Sequence, residues 1–120
     1  MKVKVIKILA EGLVNFAVET HDSVPYEVLK SAVDGNIEHL AIRKGIHMYL
    51  NEDGKGLEFP YNEFATYLAQ KFSGIAPWDN VVGNVILVGD EHPTTGKIMT
   101  LSEVDIKFIM EEFFNCYTGR

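Results

Sequence analysis

The stretch Ile37-Glu38-His39-Leu40-Ala41-Ile42-Arg43-Lys44-Gly45-Ile46-His47-Met48-Tyr49-Leu50-Asn51 decides the fold. Two β-rich runs, 37–42 and 46–51, flank the three-residue loop Arg43-Lys44-Gly45. Such a hairpin loop takes a left-handed residue last, and glycine adopts that conformation without a steric penalty. The loop fixes the register. Leu40, Ile42, Ile46, Met48 and Leu50 fall on one face, and Ile37, His39, Ala41, His47 and Tyr49 on the other. His39 then sits opposite Tyr49, with His47 diagonal to it on the same face.

Upstream, residues 2–9 and 13–20 read as a similar hairpin around Ala10-Glu11-Gly12. That loop pairs Ile8 with Val14 and Ile6 with Phe16. Ile6, Ile8, Val14, Phe16 and Val18 share one face; Val3, Val5, Leu9, Leu13 and Ala17 share the other. Both faces are apolar, whereas a sheet with one wet side alternates apolar with polar. Cover is therefore expected on both sides, from helices or a second subunit. Downstream, Val81 to Val88 is an apolar run broken by Gly83-Asn84, the pattern of a central strand.

Three helices fill the gaps. The first is expected from a Ser23 cap to Val33, with Pro25 in its first turn, an apolar stripe of Val24, Val28, Leu29 and Ala32, and a stop at Asp34-Gly35. The second runs from Tyr61 to Phe72, started by Pro60 and ended by Ser73-Gly74, with Phe64, Tyr67, Leu68 and Phe72 inward. For the third, Thr100-Leu101-Ser102-Glu103 matches a capping box with Thr100 as cap, and the helix extends to Tyr117. Its inward stripe is Val104, Ile106, Phe108, Ile109, Phe113 and Cys116, and its outward side holds Glu103, Asp105, Glu111 and Glu112. The order ββαββαβα, with hairpins predominating, gives an α+β fold: a mainly antiparallel sheet of two hairpins and a central strand, in one domain over residues 1–120.

Charge and composition exclude several functions. Eleven basic residues face seventeen acidic ones, a net charge of −6. Nucleic-acid backbones are bound by clustered Lys and Arg, and only Arg43-Lys44 forms a basic pair, so direct nucleic-acid binding is not expected. The excess charge is spread along the chain and serves solubility. One cysteine, Cys116, permits no internal disulfide, which suits a reducing compartment. No apolar run reaches membrane-span length. Lys2-Val3-Lys4-Val5 alternates as a strand does, and not as a signal peptide. A cytoplasmic location follows as the expectation.

Several short segments, taken together, resemble the domain-of-unknown-function family 3846. They are Val33-Asp34-Gly35-Asn36-Ile37-Glu38, Asn51-Glu52-Asp53-Gly54-Lys55-Gly56-Leu57, the step from Pro60 to Asn62, Val82-Gly83-Asn84-Val85, and Thr100-Leu101-Ser102-Glu103. The family commonly carries an Asn-Glu-x-Gly-Lys turn, a Pro-x-Asn step and an apolar-Gly-Thr-apolar strand. Asn84 stands here in place of that Thr, and Glu63 to Asn80 departs from the usual pattern. The match runs over about residues 33–106. The resemblance implies an α+β fold and a phage or mobile-element setting. It implies no activity.

Chemistry has few footholds. His39 and His47 need a further ligand, such as Asn51 or His21, to hold a metal, and no metal motif is present; no metal site and no cofactor are assigned. Asp90-Glu91-His92 brings two carboxylates beside an imidazole, but neighbours on a loop point apart, so no catalytic residue is assigned. Cys116, at the end of a helix, lacks the electropositive setting of a nucleophile and reads as a packed thiol. The segment 51–56 has neither the carboxylate spacing of an EF-hand nor the glycine spacing of a phosphate loop. It reads as a solvated turn. Alternatively, Asn51, Lys55, Asn62 and Asn84 line a polar ligand site, since amides offer donors and acceptors to nucleobase-like molecules.

Phe113 and Phe114 are adjacent on a helix and cannot both face one core. Phe114 and Trp78 are therefore the candidate interface residues. The expected function is that of a small non-enzymatic accessory protein that binds a host or defence protein, with homo-oligomerisation open. The alternatives are a protein that binds or sequesters a small nucleotide-like molecule and, least favoured, a metal-dependent enzyme.

Overall fold

A computed structural model of the chain describes residues 2–11 and 15–118. The elements follow the expected order: β1 (Val3–Ile8), β2 (Phe16–His21), α1 (Tyr26–Val33), β3 (Ile37–Arg43), β4 (Ile46–Asn51), α2 (Glu63–Leu68), β5 (Val85–Val88) and α3 (Glu103–Tyr117). One five-stranded antiparallel sheet has the order β2-β1-β5-β4-β3. The two hairpins join through β5. All four residues of β5 are buried, as the unbroken Val-Ile-Leu-Val run requires of a strand covered on both faces.

The sheet divides two cores. On one side Ile6, Ile8, Met48, Val85 and Leu87 pack against Phe64 and Leu68 of α2 and against Ile106 and Ile109 of α3. On the other, Val5, Tyr49, Ile86 and Val88 pack against Leu29, Ala32 and Val33 of α1. Each fully buried large side chain contributes about 1.5–3 kcal/mol. Phe64 is central: its ring lies 5.0 Å from Phe113, edge-on, and 6.4 Å from Phe16.

The β3–β4 register is as read from the sequence, with His39 opposite Tyr49 and Leu40 opposite Met48; a bulge falls between Ala41 and Arg43. The β1–β2 register is not. Ile6 pairs with Val18 and Ile8 with Phe16, two residues beyond the expected partners. Leu9 N–H still bonds the Asn15 carbonyl, so the connection exceeds three residues. The expected left-handed Gly12, and Leu13 and Val14, lie outside the described residues.

The helix ends also differ from the sequence expectation. Pro25, not Ser23, occupies the cap position of α1, without a side-chain cap bond. The helix ends at Asp34 in the left-handed conformation (φ 62°). α2 starts two residues later than expected because Asn62 caps it, and after Leu68 the chain continues as a π-helical turn, Ala69–Ser73, closed by left-handed Gly74. The cap of α3 is Ser102, whose Oγ accepts from Asp105 N–H. Thr100 instead accepts from Lys4 N–H, tying this segment to β1. Val104, expected inward, is 73% exposed. Glu112, expected outward, is buried and accepts from the Tyr67 hydroxyl and Lys71 Nζ. Burial raises its pKa, but these donors together outweigh that and hold it below the ordinary value.

Candidate functional site

α1 has eight residues and packs over β4 and β5. His39 and His47 lie on the same face of the β3–β4 hairpin as Tyr49, toward its turn. Their rings stack with centroids 5.1 Å apart, and His39 Nε2 is 2.8 Å from His47 Nδ1. Asp90, just beyond β5, completes the chain: its Oδ1 accepts from His47 Nε2–H at 2.7 Å and from Gly45 N–H at 3.1 Å. Tyr49 flanks His39 with ring centroids 5.3 Å apart.

Local sequence explains this placement. Alternation along the hairpin puts both imidazoles on one face. Gly89 lets the chain leave β5 tightly, because a Cβ there would lie 2.5 Å from the Met99 carbonyl oxygen and 2.6 Å from that of Thr100. Asp90 is thereby aimed back at His47. The segment from Asp90 to Met99 folds over the same face, closed by Met99 N–H to Asp90 O, with Ile98 packed against the α1-side core.

These groups shape one another electrostatically. The hydrogen bond from His47, helped by Gly45 N–H, lowers the Asp90 pKa. Burial, and then the neighbouring His47, lower that of His39. Burial and the nearby Glu91 raise that of Tyr49. His39, His47, Tyr49, Asp90 and Glu91 line a cleft of about 630 Å³. Among the described residues no group of three or more His, Cys, Asp or Glu side chains is arranged to hold a metal ion.

The four polar residues singled out from the sequence do not meet in one pocket. Asn51 is buried; its amide donates to the carbonyls of Val33 and Asp34 and accepts from Asp53 N–H, joining the end of α1 to β4. Asn62 is buried; it donates to the carbonyls of Ile8 and Gly83 and accepts from Ala65 N–H. Asn84 accepts from Ala10 N–H. Lys55 pairs with Asp79. Asn51 and Lys55 border one small cleft of about 140 Å³ and Asn84 borders another. In this chain all three amides are engaged by backbone groups.

The sequence reading places His39 and His47 together but not Asp90 and Glu91 beside them: Asp90 bonds His47, and both acidic residues line the cleft. His92 in fact turns away, accepting from Thr94 and Thr95 N–H in its own turn. His21 pairs with Glu19.

A second surface lies on α3. Phe113 turns inward, 5.0 Å from Phe16, while Phe114 is 58% exposed and Met110 53%. With Ile106 they border a depression of about 670 Å³, edged by Glu103, Lys107 and Glu111. Trp78 is also exposed, but on the loop after the π-helical turn, and does not border this depression. Cys116 is buried, as expected of a packed thiol.

These features define a small α+β protein, one antiparallel sheet between a single helix and a helical layer, with an open polar cleft and an apolar helix face. The sequence profile described as Domain of unknown function (DUF3846) matches residues 3–114, and the chain belongs to that family. No curated protein and no solved structure matches the chain. Among the described residues no helix is long and apolar enough to cross a membrane.

Proposed function

We propose that this chain is a non-enzymatic accessory protein of a phage or mobile element, and that it acts in the host cytoplasm by binding a host or defence protein through α3. The observation that carries the reading is the exposure of Met110 and Phe114, one helical turn apart, beside Ile106. Protein interfaces place aromatic and methionine side chains at the centre and charged side chains at the rim. Here the charges are Glu103, Lys107 and Glu111. The mixed signs favour a partner with both charges over a nucleic acid, which agrees with the net charge of −6. Trp78 is a secondary contact in this reading. Homo-oligomerisation through the same face is the competing outcome.

Photo-cross-linking tests the assignment. A benzophenone amino acid replaces Phe114 in one variant and the exposed Glu27 of α1 in another. The reading expects one defined heterologous adduct from position 114, lost when Met110→Asp is added, and none from position 27. Equal labelling from both positions, or an adduct only with a second copy of the chain, refutes it.

A further inference from the structure

The two edges of the sheet differ. At the β3 edge a bulge falls between Ala41 and Arg43, and the Ser73 hydroxyl of the π-helical turn donates to the Ala41 carbonyl. β2 pairs with β1 alone, without a proline or a bulge, and runs unbroken from Phe16 to His21. An edge left in that state is a template for another strand.

The register fixes which groups β2 offers. Leu9 N–H bonds the Asn15 carbonyl at 2.9 Å. Alternation along the antiparallel pair then turns the backbone of Ala17, Glu19 and His21 toward β1, and that of Phe16, Val18 and Thr20 outward. Lys4 gives the same phase from the other strand. It lies opposite Thr20, yet its N–H goes to Thr100 and its carbonyl to Leu101 N–H, away from β2. The outward N–H and C=O groups of Phe16, Val18 and Thr20 have no partner among the described residues. Val18, midway along, is 44% exposed. Glu19 is the one acidic residue of the strand, and it does not guard the edge, because Lys7 and His21 of the same chain hold its carboxylate.

We propose that β2 pairs antiparallel with β2 of a second copy of this chain, about a two-fold axis through Val18. In that register Val18 stands opposite Val18 of the second copy, Phe16 opposite Thr20, and Ala17 opposite Glu19. Every outward backbone group of the strand finds a partner, the exposed Val18 side chain is covered, and no like charges are directly opposed. Moving the axis one residue loses this. Centred on Glu19, it sets two carboxylates opposite one another, which destabilises a strand pair. Centred on Ala17, it carries the partner of Thr20 back to residue 14, beyond β2. The strand is therefore self-complementary in one register, as an isologous contact requires. The axis stands perpendicular to the sheet, so the α3 faces of both copies come to the same side. One six-residue strand buries less than a standard protein interface, so the pairing is reversible. It uses neither Met110 nor Phe114, and the two assignments stand or fall independently.

Sedimentation velocity from about 10 µM to about 1 mM chain tests this. The proposal expects a dimer fraction that rises with concentration. Val18→Lys and Val18→Glu each weaken it at least about tenfold, because like charges then meet on the axis. An equimolar mixture of the two variants regains the dimer, now as a Lys–Glu pair. Val18 is exposed, so both variants fold, as circular dichroism checks. Phe114→Asp leaves the dimer unchanged. A wild-type chain that stays monomeric up to about 1 mM overturns the proposal. So does a dimer that persists undiminished in both Val18 variants, one that the mixture fails to restore, or one that Phe114→Asp abolishes.

Discussion

Asn62 illustrates how a polar residue that looks like a ligand group becomes part of the frame. It is 1% exposed, and three of its hydrogen bonds go to backbone: from Ala65 N–H at 3.1 Å, to Ile8 O at 3.2 Å and to Gly83 O at 2.9 Å. Asn62→Ala removes the α2 cap, a loss of about 1 kcal/mol. It also strips the amide donor from two buried carbonyls, at about 1 kcal/mol or more each. The total is about 3–4 kcal/mol, a large share of the roughly 5–15 kcal/mol that holds a domain folded. Asn62→Asp separates the two roles. A carboxylate still accepts from Ala65 N–H but cannot donate to Ile8 and Gly83, and it sets a negative oxygen against their carbonyl oxygens. The aspartate variant should therefore be less stable than the alanine variant at pH 7, although Asp is a good helix cap. Urea unfolding followed by circular dichroism measures both, provided the slope is unchanged. An Asn62→Ala loss below about 1 kcal/mol, or an aspartate variant as stable as the parent, would refute the structural role argued for this residue.

Gly89→Ala should destabilise by about 1–3 kcal/mol, because its Cβ meets the Met99 and Thr100 carbonyls and not a movable side chain; thermal unfolding checks it. Tyr67→Phe should lose about 1 kcal/mol by removing one donor to buried Glu112, read from urea midpoints. pH should act in two steps. His39 has a pKa below its ordinary 6.5, so its contribution is complete above 6.5 and is lost as pH falls through the lowered value. Asp90 lies below its ordinary 3.8, so its contribution is present above 3.8 and is lost as pH falls through the lower folded value. Melting temperature against pH should show the first step, and His39→Leu should abolish it while leaving the acid step.

The fold was legible where local chemistry and global packing agree. The β3–β4 register followed from a tight loop ending in Gly45, and the central place of β5 from an unbroken apolar run. The β1–β2 register failed because Gly12 suggested a short loop while Phe16 and Val18 pair with Ile8 and Ile6. The α3 cap was misplaced because Thr100 and Ser102 are equally good caps on paper; a β1 contact, invisible in the sequence, claims Thr100. The same blindness to distant partners hid the site. His39 and His47 stood out on one face, but Asp90 joins them from a segment 43 residues away in sequence from His47. Conversely, Asn51 and Asn62 looked available because their carbonyl partners lie in other elements.

Native mass spectrometry of the chain purified gently from the cells that make it tests the binding role most directly. The account predicts the 13.5 kDa chain in a defined complex with a different polypeptide, reduced to free chain by Phe114→Asp. A wild-type preparation containing only free chain or homo-oligomer, or a complex that survives the substitution, would contradict it.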